Sequence, residues 1–150
     1  MKAGDLVFMK GVSIISKIIM WWTNSHWSHV AIASSPNTVI EATWPRVREV
    51  NLIDSTEGDP YQAFTPVVPL TPDETAALLT FLRSQIGRRY NLWGLFSFIL
   101  HRKVGSKTYF WCSELAAAGY QKIGRMLVRR SIRWIDPETL YGSVAITEAV

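Results

Sequence analysis

The chain has 150 residues, of which 48% are hydrophobic and 19% charged, and its formal net charge is +4. This composition excludes a disordered chain, and the length predicts a single domain over residues 1–150 with one buried core. The single cysteine excludes an internal disulfide, so nothing in the sequence requires an oxidising compartment. No signal peptide is visible before the first predicted strand, and we expect a cytoplasmic protein.

The positive charge favours acidic partners in general, but no helix-turn-helix, zinc-finger or RNA-binding signature accompanies it. No nucleic-acid partner is therefore expected. The apolar stretch Val12 to Trp22 is shorter than the ~20 residues that a membrane span needs. Its isoleucines fall at helical spacing, which predicts an amphipathic helix packed on the core, and we favour this over a peripheral membrane anchor.

The first predicted elements in chain order are strands. A short apolar strand spans Leu6 to Met9, and a polar connector covers Thr23 to Ser28. Two further strands, His29 to Ala33 and Val39 to Ala42, are joined by the turn-forming residues 34–38. This pattern predicts a β-hairpin.

The register of this hairpin decides which side chains meet. Pairing of Ser34 with Thr38 leaves a three-residue loop ending at Asn37, a residue able to adopt the left-handed conformation. The same register places His29 diagonal to Glu41 on one face of the sheet, about 7 to 8 Å apart, which two long polar side chains can close. A slip by one residue would separate them.

The middle of the chain predicts further strands of an antiparallel sheet and then a helix. Strands are expected over Val47 to Leu52 and Tyr61 to Val68, with an acidic loop over Asp54 to Asp59 between them. The segment Thr71 to Glu74 has the pattern of a capping box with proline at the first helical position. The helix that it opens has a predicted buried stripe of Leu78, Leu79, Leu82 and Ile86 and ends at Gly87.

The last third of the chain is mainly helical in its pattern, so the fold class is predicted as α+β, an antiparallel sheet packed against helices. The segment Met126 to Trp134 is ambiguous between strand and loop. The other expected elements are an apolar helix over Leu92 to Leu100, a basic loop over Arg102 to Lys107, a helix over Glu114 to Ile123, a short helix beginning at Asp136-Pro137 and a strand over Val144 to Ile146.

Cys112 lies at the predicted N-terminus of the helix Glu114 to Ile123. The unpaired backbone N–H groups and the positive end of the helix dipole stabilise an anion there, which lowers a thiol pKa. This position favours a nucleophile. The alternative is that Cys112 is a small buried apolar residue, which is a common fate of a lone free cysteine.

A cysteine nucleophile needs a base within hydrogen-bond reach and a third group that orients the base. Of the three histidines, His26 and His101 lie in predicted connecting segments, whereas His29 begins a strand with Glu41 as a same-face neighbour. This pair could hold the proton on one ring nitrogen and stabilise a thiolate with the other. The alternatives are a purely structural pair and a zinc site formed by Cys112, His29 and either His26 or Glu41.

Several motifs resemble those of a known family. The stretch Gly87 to Gly94, with Tyr90 and Trp93, and the segment Cys112-Ser113-Glu114-Leu115 are similar to stretches of the NlpC-type papain-like cysteine peptidases. The first strand, beginning at Gly4-Asp5, and the segments His29-Val30-Ala31-Ile32 and Ile40-Glu41-Ala42 resemble further stretches of the same superfamily.

The order of these motifs differs from that of the ordinary members, in which the cysteine precedes the histidine. Here the histidine strands come first, as in the circularly permuted, YiiX-like branch that includes relatives of lecithin:retinol acyltransferase. The resemblance implies Cys112 as nucleophile, His29 as base, Glu41 as orienting group and Tyr90 as a contributor to the oxyanion site. The third position is Glu rather than the more familiar His or Asn. Trp111, beside the nucleophile, is expected to line the substrate cleft.

The resemblance implies a Cys-His-Glu thiol hydrolase or acyl transferase that acts on an amide or ester through a covalent acyl-enzyme and needs no metal or organic cofactor. We favour an amidase or peptidase on short peptides, including those of cell walls. A lipid-directed acyltransferase or thioesterase is the first alternative. A non-catalytic binding module that retains the fold is the second, and a buried or protonated Cys112 would be its sign.

Overall fold

The computed structural model describes residues 1–10, 26–89, 111–129 and 135–149. The strands in these ranges are β1 Leu6–Met9, β2 His29–Ser35, β3 Thr38–Ala42, β4 Val47–Asn51, β5 Tyr61–Pro66 and β6 Ile146–Glu148. The helices there are α1 Leu52–Thr56, α2 Pro72–Ser84, α3 Cys112–Lys122 and α4 Pro137–Tyr141. The predictions for Val12 to Trp22, Tyr90, Leu92 to Leu100 and Arg102 to Lys107 lie outside the described residues.

The strands form one open antiparallel sheet in the order β4-β3-β2-β1-β5-β6. Apolar residues at alternating strand positions are buried on one face of the sheet. Phe8 of β1 and Ile32 of β2 pack there against Leu78 and Leu82 of α2 and Leu115 of α3. The predicted α+β class with an antiparallel sheet packed against helices is therefore confirmed.

A smaller apolar cluster lies on the other face of the sheet. It contains Met9 of β1, Ala31 of β2, Val39 of β3 and Leu52 of α1, all buried. Because successive residues of a strand point to opposite faces, His29 and Glu41 share this second face with Ala31 and Val39. The α1 helix therefore covers the face on which the predicted polar pair lies.

The β2–β3 hairpin has the predicted register along its strands and a different turn. Ile32 faces Ile40 as predicted, but a bulge at the turn pairs Ser35, and not Ser34, with Thr38. The hydroxyls of Ser34 and Ser35 lie 2.8 and 2.6 Å from the Thr38 hydroxyl, which holds the bulge in place. The prediction of a three-residue loop ending in a left-handed Asn37 is therefore wrong, since two residues form the turn and Asn37 has a negative φ.

Several predicted element bounds are wrong. The acidic segment Asp54 to Asp59 was predicted as a loop, but its first part belongs to the helix α1. This helix begins at Leu52, which is buried and whose N–H donates to Asn37 O at 2.9 Å. Ile86 is 45% exposed because α2 ends at Ser84, so Ile86 no longer lies on the helix stripe. The last strand is shifted to Ile146–Glu148. Residues 126–129 of the ambiguous segment form no strand.

Other predicted features are confirmed. The capping box at Thr71 is present, with the Thr71 hydroxyl accepting from Glu74 N and Glu74 Oε2 accepting from Thr71 N at 2.9 Å. The Asp136 side chain caps α4 by accepting from Thr139 N at 2.6 Å. The helix α3 begins at Cys112 itself, two residues before its predicted start.

Candidate active site

The first turn of α3 presents Cys112 at the helix N-terminus. Glu114 Oε2 accepts from Trp111 N at 3.3 Å, and Ser113 Oγ donates to Ile135 O at 2.5 Å, so contacts on both sides of Cys112 fix the turn. The N–H groups of the first helical turn have no acceptors within the helix. The Cys112 sulfur therefore lies where the N–H donors of the first turn and the helix dipole favour an anion.

The structure brings His29 and Glu41 together at the adjacent ends of β2 and β3. His29 Nε2 lies 2.7 Å from Glu41 Oε2, and the His29 side chain is also hydrogen-bonded to the Cys112 side chain. Because Nε2 is engaged by Glu41, Nδ1 is the ring nitrogen left for the thiol. Cys112, His29 and Glu41 thus form a continuous chain of hydrogen bonds.

Two further residues, neither of them predicted from the sequence, form hydrogen bonds with Glu41. Arg48 lies directly opposite Glu41 in the β3–β4 register, and its Nε and Nη2 each lie 2.8 Å from Glu41 Oε1. Ser55 of α1 donates its hydroxyl to Glu41 Oε2 at 2.8 Å. Pairing of the strand that contains Arg48 with the strand that contains Glu41 could have indicated Arg48 as a neighbour of Glu41. No sequence pattern indicated Ser55, because its segment was expected to be a loop.

Cys112 and His29 shift each other's pKa in the directions that favour the thiolate and the imidazolium. Burial raises the Cys112 pKa, but the charge of His29, its hydrogen bond and the backbone N–H groups of Val30 and Ser113 outweigh it and lower the pKa. Burial lowers the His29 pKa, yet the Cys112 charge and the hydrogen bonds to Cys112 and Glu41 raise it to about 10. Both shifts favour the thiolate–imidazolium pair over the neutral thiol and imidazole.

Glu41 stays ionised beside this pair. Burial raises the pKa of its carboxyl, but the hydrogen bond and charge of His29 and the hydrogen bonds from Ser55 and Arg48 outweigh burial and hold the pKa at about 2. The carboxylate can then orient the imidazole and stabilise its protonated form. The arrangement has the groups that nucleophilic thiol chemistry requires.

Burial at the site bears on the remaining predicted residues. Cys112 and Trp111 are each only 6% exposed. A buried Cys112 is what the binding-module alternative anticipated, but this thiol lies against His29 and two backbone N–H groups rather than in wholly apolar surroundings. The buried ring of Trp111 offers little surface to a substrate, and its role in lining the cleft stays a prediction, as does the oxyanion role of Tyr90.

Comparison with known proteins finds two similarities that bear on this site, and no family model matches. The chain is 26% identical to the Escherichia coli (strain K12) protein named "Probable lipoprotein peptidase YaeF" over 93% of its own length. It spans only 62% of that relative. The chain also superposes on the crystal structure of "metalloprotein yiiX" from Escherichia coli O157:H7 with a TM-score of 0.78 and 19% identity, covering 99% of this chain and 96% of that one.

The described fold thus matches that of YiiX. Taken together, the two matches support the resemblance to YiiX-like, papain-like cysteine hydrolases that the sequence motifs indicated. Among the described residues, no helix is both long and apolar enough to cross a membrane.

YiiX is named as a metalloprotein, so the fit of the present residues to a metal ion bears on the comparison. Within the described ranges, no group of three or more His, Cys, Asp or Glu side chains is arranged to hold one. Both oxygens of Glu41 already accept from His29, Arg48 or Ser55, and His26 Nδ1 faces Glu138 Oε1 at 3.5 Å. The donors of the zinc alternative do not fit a metal centre.

Proposed function

We propose that the protein is a thiol hydrolase that cleaves amide bonds of short peptides through a covalent acyl-enzyme on Cys112. The observation that carries the proposal is the hydrogen-bonded series from Cys112 through His29 to the buried Glu41. The name of YaeF and the YiiX fold suggest a peptidase or hydrolase, which agrees in reaction class. The permuted order, with His29 and Glu41 ahead of Cys112, is part of the proposal.

The proposed reaction begins with attack of the Cys112 thiolate on the substrate carbonyl carbon, which forms the C–S bond and places negative charge on the carbonyl oxygen. The backbone N–H of Cys112 and the predicted contributor Tyr90 stabilise this oxygen. The C–N bond then breaks as the His29 imidazolium gives its proton to the leaving amine. A water molecule, deprotonated by His29, attacks the thioester, and the acid product leaves as the Cys112 thiolate and the His29 imidazolium are restored.

Glu41 has no covalent part in this proposal. Its carboxylate lies against Nε2, so it keeps the Nδ1 side of the ring turned toward the thiol and compensates the imidazolium charge. This division of roles predicts that loss of Cys112 or His29 abolishes turnover, whereas Glu41→Gln, which keeps a hydrogen-bonding side chain, does less damage.

The substrate class is tested by offering two acyl donors to the same protein. We expect short peptide amides, including cell-wall peptides, to be turned over and to leave an acyl adduct on Cys112 that intact-protein mass spectrometry detects. Phospholipid esters should give neither, and the protein should not cosediment with anionic liposomes at physiological salt. The Cys112→Ala variant, matched in size and apolar character, should give no adduct and no turnover.

Two outcomes would change the proposal. Turnover of peptide amides by Cys112→Ala at the wild-type rate would remove the thiol from the mechanism. An adduct formed only from phospholipid, together with salt-sensitive liposome binding, would favour the lipid-directed acyltransferase.

A further inference from the structure

The carboxylate of Glu41 is 2% exposed and receives hydrogen bonds on both oxygens from three separate elements. Oε2 lies 2.7 Å from His29 Nε2 and 2.8 Å from Ser55 Oγ. Oε1 receives the Nε and Nη2 groups of Arg48, each at 2.8 Å. The two oxygens therefore face different partners, and only Oε2 faces the imidazole.

We propose that Arg48 and Ser55 are positioning residues that hold the Glu41 carboxylate in the orientation that serves His29, an inference that rests on the proposed function of the Cys112 site. Neither residue is placed against the thiol. Each acts on Glu41, and Glu41 acts on His29.

The geometry explains why Arg48 restricts Glu41. Arg48 is directly opposite Glu41 on the neighbouring strand, so the β3–β4 backbone pairing fixes their separation. Two N–H groups of a planar guanidinium on one oxygen resist rotation of the carboxylate, which a single donor would permit. Turning Oε1 toward His29 would break both of these bonds in a buried place.

Ser55 restricts the same carboxylate from the other side. Its hydroxyl lies 2.8 Å from Glu41 Oε2 and 3.4 Å from Met9 Sδ, which is a weak acceptor. The hydroxyl proton is therefore directed to Glu41. Because Ser55 belongs to the short helix α1, this contact also ties that helix to the site.

Charge gives Arg48 a second effect. Among the described residues, the charged and titratable groups that face Glu41 are His29 from β2 and Arg48 from β4, and Cys112 follows beyond His29. The Arg48 cation balances the Glu41 anion, and it also stabilises the nearby thiolate through the combined field. Removing this cation should make Glu41 and Cys112 easier to protonate, so the acid limb of the thiol reactivity profile should move to higher pH.

The test compares Arg48→Gln, Arg48→Lys and Ser55→Ala with wild type. We expect Arg48→Gln to lower kcat about tenfold or more, the loss typical of a hydrogen bond to a charged group, with KM little changed. The acid limb of Cys112 alkylation by iodoacetamide should move up by about one pH unit. Ser55→Ala should shift both measurements in the same direction by less, and Arg48→Lys should recover part of the loss because it keeps the charge.

Arg83→Gln is the matched control. Arg83 pairs with Glu49, the residue next to Arg48 in β4, through Nε at 3.0 Å and Nη2 at 2.8 Å, but this ion pair does not contact His29 or Glu41. Its loss should leave kcat and the alkylation profile unchanged. A merely structural role for Arg48 would lower the unfolding temperature without moving the acid limb.

The outcomes distinguish failure of this inference from failure of the proposed function. The inference is overturned if the Arg48→Gln and Ser55→Ala profiles superimpose on those of wild type and Arg83→Gln. If Arg48→Gln does not fold, Arg48→Lys and Ser55→Ala decide in the same way. If the wild-type thiol itself alkylates like an ordinary cysteine, the proposed function fails and this inference falls with it.

Discussion

At the scale of single residues, Glu41 is a carboxylate that the fold keeps charged in a place almost closed to water. Burying an ion without partners costs several kcal/mol, so its donors must compensate this cost. His29, Arg48 and Ser55 provide that compensation, and the pKa of Glu41 falls to about 2. The stability of the protein in acid is therefore linked to the same groups that form the site.

We predict that Glu41→Gln flattens the acid part of the stability profile. The folded-state pKa of about 2 lies below the ordinary 4.5, so the ionised carboxylate contributes stability above pH 4.5 that is lost as pH falls toward 2. Between those limits the unfolding free energy of wild type should fall by roughly 3 kcal/mol more than that of Glu41→Gln. Urea unfolding at a series of pH values measures this difference.

The control for this measurement is Glu49→Gln, which removes a neighbouring carboxylate of β4 paired with Arg83 outside the site. That variant should keep the steep fall that Glu41 causes. Parallel stability profiles for wild type and Glu41→Gln would show that the charge of Glu41 is not linked to folding.

At the scale of elements, the site depends on how closely α3 packs against α2 and the sheet. Gly119 faces α2, and a Cβ placed there would lie 2.8 Å from Leu78 Cδ1 and 3.1 Å from Leu82 Cδ2. Both leucines are fully buried. The hydroxyl of Tyr120 in the same helix donates to Gly4 O, which ties α3 to the residues before β1. The position of Cys112 therefore follows from packing along the length of α3.

Gly119→Ala should destabilise the protein even though alanine is the better helix former. The added methyl must displace two core leucines, and overpacking of this kind typically costs about 1 to 3 kcal/mol. Gly142→Ala is the matched control, because the one atom of the described residues that a Cβ at Gly142 would meet is Glu138 O, at 3.5 Å. Chemical unfolding should show a clear loss for Gly119→Ala and little change for Gly142→Ala, and equal stability of the two variants would contradict this packing.

Local patterns explain which elements the sequence could predict. The strand alternation placed His29 and Glu41 on one face, and the run of helix formers after Cys112 placed that residue at a helix start. The helix α1 was missed because a single turn rich in Asp, Ser and Thr has no helical pattern of its own and is held by tertiary contacts of Leu52 and Ser55. The bulge at Ser34 was missed because it depends on side-chain hydrogen bonds to Thr38.

At the scale of the whole molecule, the site combines one local and one distant contact. His29 and Glu41 meet within a hairpin, which sequence spacing can predict, whereas Cys112 reaches His29 only because α3 packs on the sheet beside β2. No spacing rule gives that second contact, and the motif resemblance supplied it. The single domain and the cytoplasmic location stay predictions, and the chain spans 62% of its YaeF relative.

The central claim is that this packing creates a reactive thiolate, and the pH dependence of Cys112 alkylation by iodoacetamide tests it most directly. Because the Cys112 pKa is lowered and the His29 pKa is raised to about 10, wild type should alkylate rapidly down to mildly acidic pH. His29→Ala should delay fast alkylation until the pH approaches ~8.5, the pKa of a free cysteine. A wild-type rate that rises only above this pH, or that His29→Ala leaves unchanged, would contradict the account.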